Sequence, residues 1–363
     1  MIKLMRTPSR YVQGPNSLTN IKEHTNNLGK SFLVISSKTA MKHTKDAIVE
    51  SFKDSDSTIQ FELFNGQCSN SEIKRIREII TTNKIEVIVG VGGGRTLDTA
   101  KAVAYYENIP VVICPTVAAT DAPCTALSVV YNDEGNFENY LFYPTNPNVV
   151  IVDTAIIAAA PIRFLVAGMG DALGTFFEAR TCYRAKADNL VAGKVSEAGY
   201  AIAKLCYETL LSDGFKAKAT VEAGAITEAV ERAIEATTYL SGVGAENGGL
   251  STAHSVYNGF TILPEAEKIM HGELVAFGTV VQAMVENFPM EEIEEIIEFC
   301  LSVGLPITLK QMGLENVSKE DLRKVADATC AEGETIHNTI GDVTSDELFN
   351  AILAADSLGN KYI

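Results

Sequence analysis

Apolar residues in the first 160 positions gather into short runs, separated by amphipathic stretches of helix length. Ser31-Phe-Leu-Val-Ile-Ser36 reads as a buried strand and is followed by a helical stretch through Phe52. Thr58 to Phe64 alternates apolar and polar residues with the two-residue period of a strand. Ile73, Ile76, Ile79 and Ile80 form the stripe of a helix that Ser69 or Ser71 can cap. Val87-Ile-Val-Gly90, a glycine-rich turn, a helix from Arg95 to Tyr106 and a strand at Val111-Val-Ile-Cys114 continue the rhythm. Ala126 to Tyr131 and Phe137 to Tyr143 flank Asn132-Asp-Glu-Gly135 and predict an inserted hairpin, before a last strand at Val149-Val-Ile-Val-Asp153. Strands and helices in alternation predict a parallel sheet covered on both faces.

The pattern changes after Pro161. Residues 161–363 are rich in Ala, Glu and Leu at helical spacing, broken by punctuation such as Gly304-Leu-Pro306. A single core rarely grows beyond roughly 250–300 residues, so 363 residues divide into two domains. The expectation is a Rossmann-like α/β domain with a parallel sheet over residues 1–160 and an all-helical domain over 161–363.

Composition narrows the function. A net charge of −16 argues against a nucleic-acid partner, which needs clustered Lys and Arg. No run approaches the ~20 apolar residues of a membrane span, and Met1-Ile-Lys-Leu-Met-Arg-Thr-Pro8 lacks the apolar segment of a signal peptide. Seven scattered cysteines without a Cys-x-x-Cys pair fit reduced thiols in a cytoplasmic protein.

Two loops and two histidine segments carry candidate chemistry. Val89-Gly-Val-Gly-Gly-Gly-Arg-Thr-Leu-Asp98 places Gly92, Gly93 and Gly94 between a strand and a helix, where backbone N–H groups can meet an anion. Arg95 stands where the dinucleotide fingerprint has its third glycine, and no Gly-Lys-Ser/Thr follows as in a Walker loop. A tight turn without a ligand explains the glycines about as well. The loop Pro115-Thr-Val-Ala-Ala-Thr-Asp-Ala-Pro-Cys-Thr-Ala126 leaves the next strand at its carboxyl end, the ligand side of an open α/β sheet. Its Thr116 and Thr120 can be turn residues, whereas Asp121 among small residues is harder to explain by packing. Asp171, in Gly168-Met-Gly-Asp-Ala-Leu173, reads as opening a helix, where an N-cap is its plain structural role. His254 and His271 are separated by Pro264 and so belong to different helices or helix ends. Taken singly, each histidine is more often structural than a ligand.

Five segments together carry a family resemblance: 90–101, 120–131, 168–173 and the two histidine segments, 252–259 and 270–273. Through them the chain resembles the glycerol dehydrogenases of the iron-containing, polyol alcohol dehydrogenase superfamily. The resemblance implies an NAD-binding α/β domain, a helical domain and a cleft holding Zn2+ on Asp171, His254 and His271. Three protein ligands leave a position open for substrate, as in catalytic zinc sites. It places NAD against Gly92, Gly93, Gly94, Arg95, Thr96, Thr116, Ala119, Thr120, Thr125, Leu127 and Tyr131, with Ser37 near the adenosine ribose and Asp121 near the substrate. Iron-dependent relatives add a histidine four residues after the aspartate; Thr175 stands there, which favours zinc over iron. Dehydroquinate-synthase-like relatives have a Glu as first ligand, so that lyase reading is the lesser one. Two departures concern the cofactor: Ser37 replaces an Asp common in the family, and Arg95 replaces Lys.

The implied chemistry is oxidation of glycerol and related vicinal diols, the metal acting as Lewis acid on the hydroxyl and hydride passing to the nicotinamide. A homo-oligomer, up to an octamer, goes with the resemblance. The alternatives are a related polyol or polyol-phosphate dehydrogenase and a catalytically silent nucleotide-binding protein.

Overall fold

The computed structural model describes residues 2–363. Eight strands occur, β1 (Tyr11–Gly14), β2 (Ser31–Ser36), β3 (Thr58–Leu63), β4 (Val87–Gly92), β5 (Val111–Pro115), β6 (Leu127–Tyr131), β7 (Phe137–Phe142) and β8 (Val149–Asp153). Six of them form one sheet in the order β1-β8-β5-β4-β2-β3, with every neighbouring pair parallel. β6 and β7 pair antiparallel as a separate hairpin. β1 was not legible in the hydrophobic pattern. Its four half-buried residues at the sheet edge lack an apolar run and are held by pairing with β8.

Period-two geometry sorts the strand residues between two cores. Phe32, Val34, Val87, Val89, Val112 and Ile151 face Ile48 and Phe52 of the Lys38–Phe52 helix on one side. Leu33, Ile35, Ile88, Ile113, Val150 and Val152 face the helices Asn70–Asn83 and Gly94–Glu107 on the other. Ser69 proves to be the cap of the first of these, accepting from the Glu72 N–H. From Thr154 onward the chain is helical, and the core that begins under the sheet runs on into this half. Helix His271–Val285 is buried almost all round at its centre, against Ile162–Ala185 and Thr252–Phe260. The start of the chain crosses over to the helical half, where the Arg6 N–H donates to Asn247 Oδ1 at 2.7 Å.

Candidate metal centre and cofactor cleft

Asp171 does not open a helix. It lies inside Ile162–Ala185, and the glycines before it serve a close approach rather than a turn. A Cβ on Gly168 would lie 2.0 Å from the Ala118 carbonyl oxygen, and one on Gly170 would lie 2.2 Å from that of Gly272. Two small positions in one helical turn thus let the helix touch both the loop after β5 and the start of helix His271–Val285.

That contact assembles the cluster. His254 is the third residue of helix Thr252–Phe260 and His271 the first residue of the next. Asp171 Oδ1 lies 3.2 Å from His254 Nε2 and 3.1 Å from His271 Nε2. Its Oδ2 accepts the Asp121 N–H at 3.1 Å, tying the loop after β5 to the helical half. One ligand atom from each of Asp171, His254 and His271 lies within 4.8 Å of the others, close enough to hold one metal ion. Thr175, one turn after Asp171, is buried and bonded to Ser241 Oγ at 3.0 Å, so it adds no fourth donor.

Charge fits a cation. Burial opposes ionisation of Asp171, yet His271 and His254 hold its carboxyl well below the usual range. Burial likewise opposes a charged His254, but Glu178 and Asp171 outweigh it and push the imidazole well above its ordinary value. Burial and the Asp171 charge push the Asp121 carboxyl up to about 7.

The other sequence-marked residues distribute unevenly. Gly93 caps helix Gly94–Glu107 without a side chain, and its carbonyl takes the N–H groups of Thr96 and Leu97. The N–H groups of Gly94 and Arg95 precede them in the first turn of the helix, where backbone N–H groups have no partner within the helix. Thr116, Ala119, Thr120, Asp121, Leu127 and Tyr131 are all partly exposed, and the Arg95 guanidinium lies over the Tyr131 ring at 5.3 Å. Thr96 and Thr125 are instead buried: Thr96 packs under Gly92, and the Thr125 hydroxyl donates to Ala122 O within its own loop. Ser37 follows β2 and caps helix Lys38–Phe52 by accepting from the Ala40 N–H. Register pairs Ser36 with Val91, so Ser37 adjoins the glycine loop.

The roles of four residues escaped sequence reasoning, among them Lys101, which the sequence marks only as a cation near the glycine loop. Lys101 is buried, pairs with Asp98 at 2.9 Å, and donates to the carbonyls of Ala122 and Leu127, so it holds the loop rather than a ligand. Glu246, equally buried, accepts the Ala126 N–H at 2.9 Å from the opposite side. Tyr257 meets the His271 ring edge to face at 4.2 Å. Glu178 meets His254 Nδ1 at 2.5 Å. Helical spacing was the available signal for two of them: Glu178 lies two turns after Asp171, and Tyr257 one turn after His254.

A parallel α/β half followed by a helical half that gathers three potential metal donors is the architecture of the iron-containing alcohol dehydrogenase fold. Residues 8–154 match the iron-containing alcohol dehydrogenase family, and the chain belongs to it. It is 49% identical to the glycerol dehydrogenase of Citrobacter freundii over 363 residues, 100% of both chains. Identity to the glycerol dehydrogenase of Thermotoga maritima is 48% over 362 residues, 99% of this chain and 98% of that one. The crystal structure of glycerol dehydrogenase from Schizosaccharomyces pombe superposes with a TM-score of 0.96 at 38% identity, covering 99% of this chain and 92% of that one. No helix among the described residues is long and apolar enough to cross a membrane.

Proposed function

We propose that this chain oxidises glycerol and related vicinal diols to ketones, with NAD as hydride acceptor and zinc held by Asp171, His254 and His271. The observation that carries the reading is the donor set: one carboxylate oxygen and two imidazole nitrogens within 4.8 Å. Two nitrogens and one oxygen, with no fourth protein ligand among the described residues, suit a catalytic zinc with an open position. When bound, zinc would supply Lewis acidity towards a substrate hydroxyl and NAD the hydride acceptor.

The chain's own residues do the rest. Gly94 and Arg95 offer uncommitted N–H groups to the cofactor phosphates, and Tyr131, Leu127, Thr116 and Ala119 line its course. Lys101 and Glu246 clamp the intervening loop from two sides, which fixes Asp121 against Asp171. Asp121 on this reading accepts a hydrogen bond from a second substrate hydroxyl, which would favour a diol over a simple alcohol. On this reading residues 1–160 bind cofactor and 161–363 bind metal and substrate. Seven free cysteines, six of them buried, support a reducing, cytoplasmic location for the proposed homo-oligomer.

Phosphorylated polyols should be poor substrates. Of the two cations near the glycine loop, Lys101 is consumed by Asp98 and backbone carbonyls, and Arg95 lies over Tyr131. Comparing kcat/KM for glycerol and glycerol 1-phosphate tests this. We expect glycerol to be favoured at least tenfold; the opposite preference would shift the reading to a polyol-phosphate dehydrogenase.

A further inference from the structure

The helix that carries Asp171 carries a second carboxylate on the same face. Glu178, two turns on, is 0% exposed and has no Lys or Arg partner among the described residues. Its Oε1 accepts the backbone N–H groups of Ser251 at 2.8 Å and His254 at 3.0 Å. Its Oε2 lies 2.5 Å from His254 Nδ1.

We infer that Glu178 is a positioning residue for the metal site, fixing the tautomer and direction of the His254 ring and supplying the negative charge that, with Asp171, balances a divalent cation. The inference rests on the metal reading proposed above. A carboxylate here can only accept, so Nδ1 carries a proton, and in the neutral ring that a metal requires Nε2 keeps its lone pair. That lone pair points to the space shared with Asp171 and His271. An imidazole backed by a carboxylate is a stiffer and more basic ligand.

The same group also fixes the backbone beneath the ring. Ser251 precedes helix Thr252–Phe260 but makes no side-chain cap, and its buried hydroxyl has no partner. Glu178 does the capping from another helix, with its charge at the positive end of this one. Ring and main chain of His254 therefore hang on one carboxylate. No carboxylate backs the His271 ring in this way among the described residues; it is steadied by Tyr257, and its side chain is 26% exposed against 11% for His254. One ligand is preset and the other can adjust.

Glu178→Gln tests the idea with little change of shape. The amide oxygen still accepts the two N–H groups, but the NH2 faces Nδ1 as a donor. Nδ1 must then accept, and the proton moves to Nε2, the atom a metal needs. Zinc affinity of the metal-stripped protein, measured by competition with a chromophoric chelator, should fall about 10- to 100-fold while circular dichroism stays native. Equal affinity in Glu178→Gln and the native protein would overturn the inference. Should Glu178→Gln fail to fold, nitrogen NMR of the zinc-loaded native protein decides. Zinc on Nε2 of His254 with a proton on Nδ1 supports the role, and zinc on Nδ1 excludes it. If the native protein takes up no stoichiometric zinc, or His254→Ala leaves uptake unchanged, the metal reading itself falls and this inference with it.

Discussion

At the scale of single residues, the site is a balance of buried charges that a cation would complete. Asp171 is shared between two imidazoles and the Asp121 N–H, so removing any one partner unbalances the others. We expect His271→Ala to lose metal and turnover with its fold intact, since this ring is partly exposed. His254→Ala should lose both and also about 1–3 kcal/mol of stability, because Glu178 is left buried without its ring partner. Metal analysis and thermal melting of both variants check this; full zinc occupancy in either would remove that histidine from the site. Cofactor choice is a second single-residue matter. Ser37 adjoins the glycine loop, and the helix it caps has no acidic residue in its first turn; Lys38, Lys42 and Lys45 of that helix line a hollow of about 290 Å³ together with Met41, Asp46 and Leu63. A carboxylate there would repel a 2′-phosphate, a difference of ~1–3 kcal/mol. NADP should therefore be rejected only weakly, and Ser37→Asp should restore rejection. The ratio of kcat/KM for the two cofactors reads this out. Strong native rejection left unmoved by the substitution would show that Ser37 does not face the ribose. That Asp171, His254 and His271 come together was expected only through the family resemblance, whereas Glu178 was not expected at all, because a lone Glu inside a Phe- and Ala-rich helix announces burial without naming its partner.

At the scale of elements, helix Ile162–Ala185 joins the two halves, and its small residues set how closely. Ala normally favours a helix over Gly by ~1 kcal/mol. At Gly168 the clash lies with a backbone oxygen, which cannot rotate away. Gly168→Ala should therefore destabilise by about 1–3 kcal/mol and raise the KM for cofactor, since the loop after β5 must retreat. Gly214→Ala is the control: its added Cβ meets the Phe299 ring at 2.9 Å, and a side chain can shift. Denaturant melts showing the two variants equally stable would contradict this account of the interface. The strands of the sheet interior were readable because both their faces are buried, which makes them continuous apolar runs. The interior position of Asp171 was not, because Gly-Met-Gly looks like a break unless the backbone it approaches is known.

At the scale of the whole molecule, the proposed function depends on the two halves meeting at the carboxyl ends of β4 and β5. The sheet contributes a glycine turn and a clamped loop, the helical half contributes the donor set, and the Asp121–Asp171 hydrogen bond joins them. Neither half carries the chemistry alone. Metal dependence of glycerol oxidation is therefore the most direct test. The native protein, dialysed against a chelator, should lose NAD reduction with glycerol and regain it with one equivalent of zinc per chain. Full activity of the metal-free protein, or no recovery on adding zinc to protein that remains folded, would contradict the role given to Asp171, His254 and His271.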